Sequence, residues 1–196
     1  DADFTDISAR LRERLARLVG GASDEIALGN STSYGLDVLA RGMPWRAGDE
    51  VLVVDGDFPA SVFPWRVLGP RGVTIRFMPP DADVGAHLTD RTRVFCTSWV
   101  NSFTGHAIDV DAIGRICRAA GVWFVLNASQ GMGTRLLDVT QTPVDAVTSC
   151  GYKFLCGPYG TGFLWVSPAL RDRLEPMHTY WLPSVWNQPG GLQQYD

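Results

Sequence analysis

The chain has 196 residues, of which 45% are hydrophobic and 19% charged, and its net charge is −4. That length can bury a substantial core and favours one domain, with room for the start of a second. The mild acidity, the lack of an arginine-rich stripe interleaved with aromatics, and the lack of any apolar run of about eighteen residues argue against nucleic acid and membrane as partners.

The first residues, DADFTDISARLRERL, carry neither a basic leader nor an apolar stretch, so no secretory signal is expected and the cytoplasm is the default compartment. Ile7, Leu11, Leu15 and Leu18 recur at helical spacing and Gly20-Gly21 supplies a stop, which predicts an amphipathic helix. Six short apolar runs follow: EVLVVD (50–55), VTIRFM (73–78), RVFCTSWV (93–100), VWFVLN (122–127), DAVTSC (145–150) and GFLWVS (162–167). Each reads as a strand buried on both faces. A helix is predicted over 34–41 and another over DVDAIGRICRAAG (109–121), with Ile113, Ile116 and Cys117 on one face and Gly121 as its stop. Alternation of strands and helices predicts an α/β fold with a mainly parallel sheet sandwiched by helices. Residues 1–175 are read as one large domain, and the Pro-, Gly- and aromatic-rich stretch 176–196 as an irregular tail leading toward a smaller C-terminal domain outside the chain.

Cys96, Cys117, Cys150 and Cys156 form no CxxC pair, so they are read as reduced thiols buried as small hydrophobes, and no metal site is expected. Three loops at predicted strand or helix ends carry polar chemistry. In GNSTSYG, the hydroxyls of Ser31, Thr32 and Ser33 precede a helix, an arrangement that either caps it or binds a phosphate. In VLNASQG, Asn127 ends a hydrophobic strand and Gln130 follows three residues later; two such amides either close a turn or hydrogen-bond a planar polar ligand. In SCGYKFLCGPYGTG stands Lys153, the single lysine among 17 Lys and Arg residues. Apolar surroundings favour a neutral amine, the form that attacks a carbonyl to give an imine. Neither GxGxxG nor a P-loop motif occurs, which weakens a nucleotide-binding reading.

The order of these motifs, together with the aromatic segment DFPASVFPW, resembles the class V aminotransferases. These are fold-type I enzymes dependent on pyridoxal 5'-phosphate (PLP), among them cysteine desulfurases, isopenicillin-N-epimerase-like proteins and kynureninase. The resemblance implies a PLP-dependent transferase or lyase, acting on the amino group or Cα of an amino acid and working as a homodimer. It places Lys153 as the residue that holds PLP as an internal aldimine. Thr32 and Ser33 fall where the phosphate binds, and Phe58 where a ring stacks on the pyridine. Gln130 and Ser102 match contacts to the phenolic oxygen; Ser149 and Tyr152 flank the lysine where the phosphate is also held, although Cys150 occupies the position aligned most directly. Asn127 departs from the aspartate usual there: it can hydrogen-bond the pyridine nitrogen but supplies no anion, so the ring is expected to stay neutral more often. A substrate-carboxylate arginine and a mobile catalytic cysteine are expected outside this chain. A degenerate member with a binding or regulatory role is the alternative reading.

Overall fold

The computed structural model describes residues 2–175; the predicted tail over 176–196 lies outside them. A helix, α1 (Ala2–Val19), leads to a short strand, β1 (Ile26–Gly29), and to helix α2 (Thr32–Gly42). Strand β2 (Glu50–Val54) is followed by two stretches of 3-10 helix (Pro59–Ser61 and Phe63–Arg71) and strand β3 (Thr74–Met78). Then come a single helical turn, α3 (Val84–His87), strand β4 (Thr92–Ser98), helix α4 (Val110–Ala119) and strand β5 (Trp123–Asn127). Strands β6 (Ala146–Cys150) and β7 (Gly162–Val166) and a short helix, α5 (Pro168–Arg171), complete the order.

The seven strands form one sheet in the order β1-β7-β6-β5-β4-β2-β3. Strands β3, β2, β4, β5 and β6 pair in parallel, whereas β7 is antiparallel to both β6 and β1. Alternation along each strand feeds two cores. Leu52, Phe95, Phe124 and Leu126 pack with Val19 of α1 and Cys117 of α4 on one face. Val51, Val53, Val94 and Val125 pack with Leu36 and Leu39 of α2 and with Trp65 on the other. The sheet is therefore sandwiched by helices, as the sequence predicts, and among the described residues no helix is long and apolar enough to cross a membrane.

Three expectations are corrected. β3 is an edge strand with Thr74 and Phe77 exposed, and Arg76 in its middle turns to a carboxylate instead of a core. α1 stops where predicted, with Gly20 at φ +79° ending it, but Ile7, Leu11 and Leu18 are exposed, and among its described apolar side chains Leu15, Ala16 and Val19 are the ones that turn inward. Cys156 is exposed; the other three cysteines are buried and all four are free. Burial drives the Cys96 and Cys117 thiols upward in pKa, Cys117 to about 12, so neither is a nucleophile at neutral pH.

Packing of α2 on β6 depends on Gly35, where a Cβ would lie 2.5 Å from Thr148 Oγ1 and 3.3 Å from Leu164 Cβ. Gly35→Ala is expected to destabilise the protein in urea. Overpacking costs about 1–3 kcal/mol, and the gain of helix propensity, about 1 kcal/mol, offsets only part of it. A variant more stable than the parent would show that α2 has room to move off the sheet.

At the edge of the sheet remote from the strand C-termini, Glu50 accepts from Thr89 Oγ1 at 2.7 Å and from Arg76 at 3.2 Å, while Arg91 lies 3.0 Å from its other oxygen. Burial raises the carboxyl pKa, but the Thr89 hydrogen bond and the two guanidinium groups outweigh it, and the net shift is downward. A depressed folded pKa means stability that is present above the unfolded value and is lost as pH falls through the folded one. Glu50→Gln should therefore flatten the acid limb of a stability-versus-pH curve, and an unchanged limb would refute the assignment.

Candidate active site

The parallel strands β2, β4, β5 and β6 end at one edge, and so does β1, because two antiparallel pairings restore its direction. The loops beyond them, 55–58, 99–102, 128–130 and 151–157, converge there with the start of α2, the usual location of a ligand site in an open α/β sheet.

The start of α2 has the geometry that could hold an anion. The helix begins at Thr32, two residues ahead of expectation, and Ser31 is its N-cap, with Oγ accepting from Tyr34 N at 3.1 Å. Thr32 and Ser33 thus occupy the first turn, where main-chain N–H groups have no intrahelical acceptor and the helix dipole is positive. The Ser31 backbone reaches this position by passing over Gly162, where a Cβ would lie 3.0 Å from Ser31 atoms and 2.8 Å from the Ser149 carbonyl. Ser33 is exposed to an incoming group, whereas the Thr32 hydroxyl is buried and bonds Ser129 Oγ at 2.5 Å.

That bond opens a buried polar chain. Asn127 Oδ1 accepts from the Ser129 N–H at 3.1 Å and from Ser129 Oγ at 2.7 Å, and Asn127 Nδ2 donates to Ser61 Oγ at 2.9 Å. Ser61 Oγ is 3.2 Å from Ser98 Oγ. Beside it the Asp57 carboxylate accepts from the main-chain N–H of Ser98 at 2.8 Å and of Phe58 at 2.6 Å. Asp57, Ser61, Ser98, Asn127 and Ser129 are all buried. Of these, sequence reasoning singles out only Asn127. The signal for the rest is their place inside the same motifs: Ser129 lies between Asn127 and Gln130, and Asp57 and Ser61 lie in DFPAS.

Lys153 stands on a loop clasped at its base. Gly151 N donates to the Thr161 carbonyl at 2.8 Å and Gly157 N to the Gly151 carbonyl at 2.7 Å. A Cβ at Gly151 would collide with the Thr161 hydroxyl, so the clasp requires glycine there. Cys156 takes φ +54°, the left-handed region, so that its N–H reaches the Lys153 carbonyl at 2.9 Å. The loop is held and the lysine side chain is left available: Lys153 Nζ lies 5.1 Å from the centroid of the Phe58 ring, within cation–π range. Phe58 in turn lies 6.3 Å from Phe103.

The structure thus brings Lys153, Phe58, Asn127, Thr32 and Ser33 to one edge of the sheet. Ser102 joins them with a buried hydroxyl that has no hydrogen-bond partner among the described residues. Gln130 is half-buried on the turn that carries Ser129. Ser149 is buried and its Oγ donates to the Cys150 carbonyl at 3.1 Å, while Tyr152 stacks on Tyr159 at 4.3 Å between ring centroids. Partial burial, with Cys150 and Tyr159 nearby, raises the Tyr152 hydroxyl pKa, which keeps it a donor at neutral pH. A cavity of about 330 Å³ flanks the site, lined among others by Asp57, Ser98, Asn101, Phe103 and His106. A primary amine, an anion-binding helix start, a ring face, a carboxamide and an orphaned hydroxyl form a donor set that fits PLP. Among the described residues no cluster of metal-ligating side chains occurs.

Comparison with known proteins identifies the family. The chain is 32% identical over 173 residues to a probable cysteine desulfurase of Methanothermobacter thermautotrophicus, covering 85% of this chain and 43% of that protein. It is 30% identical over 181 residues to isopenicillin N epimerase of Streptomyces clavuligerus, covering 87% of this chain and 46% of that one. A solved structure of the cystine C–S lyase C-DES with its reaction product cysteine persulfide superposes with a TM-score of 0.85 at 26% identity, over 90% of this chain and 50% of that one. A variant of C-DES carries glycine covalently linked to its PLP cofactor and matches equally well, with a TM-score of 0.85. The chain spans less than half the length of the two relatives and half that of the lyase. A family model described as aminotransferase class-V matches residues 1–180, and the chain belongs to that family.

Proposed function

We propose that the chain forms the cofactor-holding part of a PLP-dependent enzyme that acts on the amino group or Cα of an amino acid, by transamination, epimerisation or elimination with C–S cleavage. The observation that carries the reading is the placement of the single lysine, with its amine over the Phe58 ring at the sheet edge where Asn127 and the α2 N-terminus also lie. Bound PLP supplies an electron sink for a bond broken at the substrate Cα. Lys153 would hold the cofactor through Nζ and would move the proton at the substrate Cα. Phe58 would pack against the ring, and the first turn of α2, with Thr32 and Ser33, would hold the phosphate, assisted by Ser149 and Tyr152. Gln130 and the Ser102 hydroxyl, which has no partner among the described residues, would supply hydrogen bonds to the phenolic oxygen.

The same reading takes the protein as a cytoplasmic homodimer. Four free thiols suit a reducing compartment. Phe103, Phe154 and Tyr159 leave an exposed aromatic rim on the loops of the site, which a second copy would cover.

The test is to purify the protein with added PLP, record its visible absorbance before and after borohydride, and locate any adduct by peptide mass. A band that bleaches and leaves the cofactor mass on Lys153 is expected. A colourless protein with Lys153 unmodified would overturn the proposal.

A further inference from the structure

From the hydrogen bonds of Asn127 we infer that this chain holds the cofactor's pyridine nitrogen unprotonated, as an acceptor, with Ser129 as the positioning residue that enforces it. The inference rests on the reading of the site as a PLP site and concerns the electronic state in which the ring is held.

A carboxamide has four hydrogen-bonding positions: two lone pairs on Oδ1 and two N–H groups on Nδ2. At Asn127 both lone pairs are engaged, one by the Ser129 N–H and one by its hydroxyl, and one N–H is engaged by Ser61 Oγ. The orientation is not interchangeable. A main-chain N–H only donates, so it fixes the oxygen of the carboxamide on the Ser129 side and the nitrogen on the other. The Ser129 proton is committed to Oδ1, which in turn requires Thr32 to donate to Ser129 Oγ. On the opposite side Ser61 Oγ accepts from Asn127, and its contact with Ser98 Oγ leaves that assignment unchanged whichever hydroxyl donates. The direction of every proton from Thr32 to Ser61 is then set, and the one position Asn127 has left is a second N–H. A ligand atom against it must accept. A pyridine nitrogen meets that requirement only without a proton.

Aspartate at this position would reverse the outcome. A carboxylate offers about four acceptor positions. The two Ser129 donors and a turned Ser61 hydroxyl would fill three, leaving one for a pyridinium N–H.

The holoprotein reconstituted with PLP labelled with nitrogen-15 in the ring reads this state directly. Near neutral pH the parent protein is expected to give the nitrogen resonance of an unprotonated, hydrogen-bonded pyridine without one-bond proton coupling. Asn127→Asp is expected to give the strongly shifted, proton-coupled resonance of a pyridinium. Asn127→Ala, which removes the donor, should keep the nitrogen unprotonated and move its resonance to that of an unbonded pyridine. A pyridinium signal in the parent protein overturns the inference while leaving the proposed function intact. Failure of PLP to attach to Lys153, read by borohydride trapping of the same sample, overturns both.

Discussion

Replacing Lys153 with alanine is expected to abolish covalent cofactor attachment and to reduce turnover by at least the contribution of the proton transfer proposed for it, on the order of 10²–10⁴-fold. Lys153→Arg should fare no better. A guanidinium keeps its charge at any accessible pH, so it neither forms an imine nor takes up a proton at Cα. The rest of the site should survive either change. The clasp that shapes the loop is made by main-chain groups of Gly151, Gly157 and Thr161, and the Lys153 side chain contributes to it only a contact with Phe58. Both variants should therefore keep the parent's circular dichroism and retain PLP through the α2 N-terminus and Asn127, but yield no borohydride-stable adduct. Turnover of Lys153→Arg within about tenfold of the parent would mean that this amine is neither the anchor nor the proton carrier.

The parallel strands were legible because burial on both faces writes itself as uninterrupted apolar runs, as in the VLVV of EVLVVD and the VWFVL of VWFVLN. β1 was not: IALG is four residues long and only Ile26 is buried, so nothing in its pattern distinguishes it from a loop. The reversal of β7 left a usable sign. Parallel pairing needs a crossover of a dozen or more residues, usually a helix, and the Gly/Pro-rich stretch between Cys150 and Gly162 carries no helical pattern. On α1 the period was legible but its partner was not; the stripe of Ile7, Leu11 and Leu18 faces away from the described core. The site shows the same division. Lys153 stands out by composition and Asn127 by its place at a strand end, whereas the serines that fix Asn127 are common residues whose roles depend on contacts such as Ser61 to Asn127, 66 positions apart.

The link between those distant segments is also a point of stability, and Trp65→Ala is expected to expose it. Trp65 is fully buried, packs edge-on against Trp45 at 6.2 Å, and donates from Nε1 to the Ser61 carbonyl at 3.0 Å. Truncating a large aromatic side chain in a core costs about 3–5 kcal/mol, a large share of the roughly 5–15 kcal/mol that stabilises a typical domain. The loss should be local in its functional effect as well. The same segment carries Phe58 and Ser61, so a loosened Ser61 frees the Asn127 carboxamide on one side, and PLP affinity should fall along with stability. Trp65→Phe separates the two contributions. It keeps most of the ring but leaves the Ser61 carbonyl without its donor, a change of about 1–3 kcal/mol. Urea unfolding and PLP titration of the two variants check the expectation. If Trp65→Ala lost no more stability than Trp65→Phe, the ring would be dispensable to the core. If its PLP affinity matched the parent's, the Phe58–Ser61 segment would be held in place by something other than Trp65.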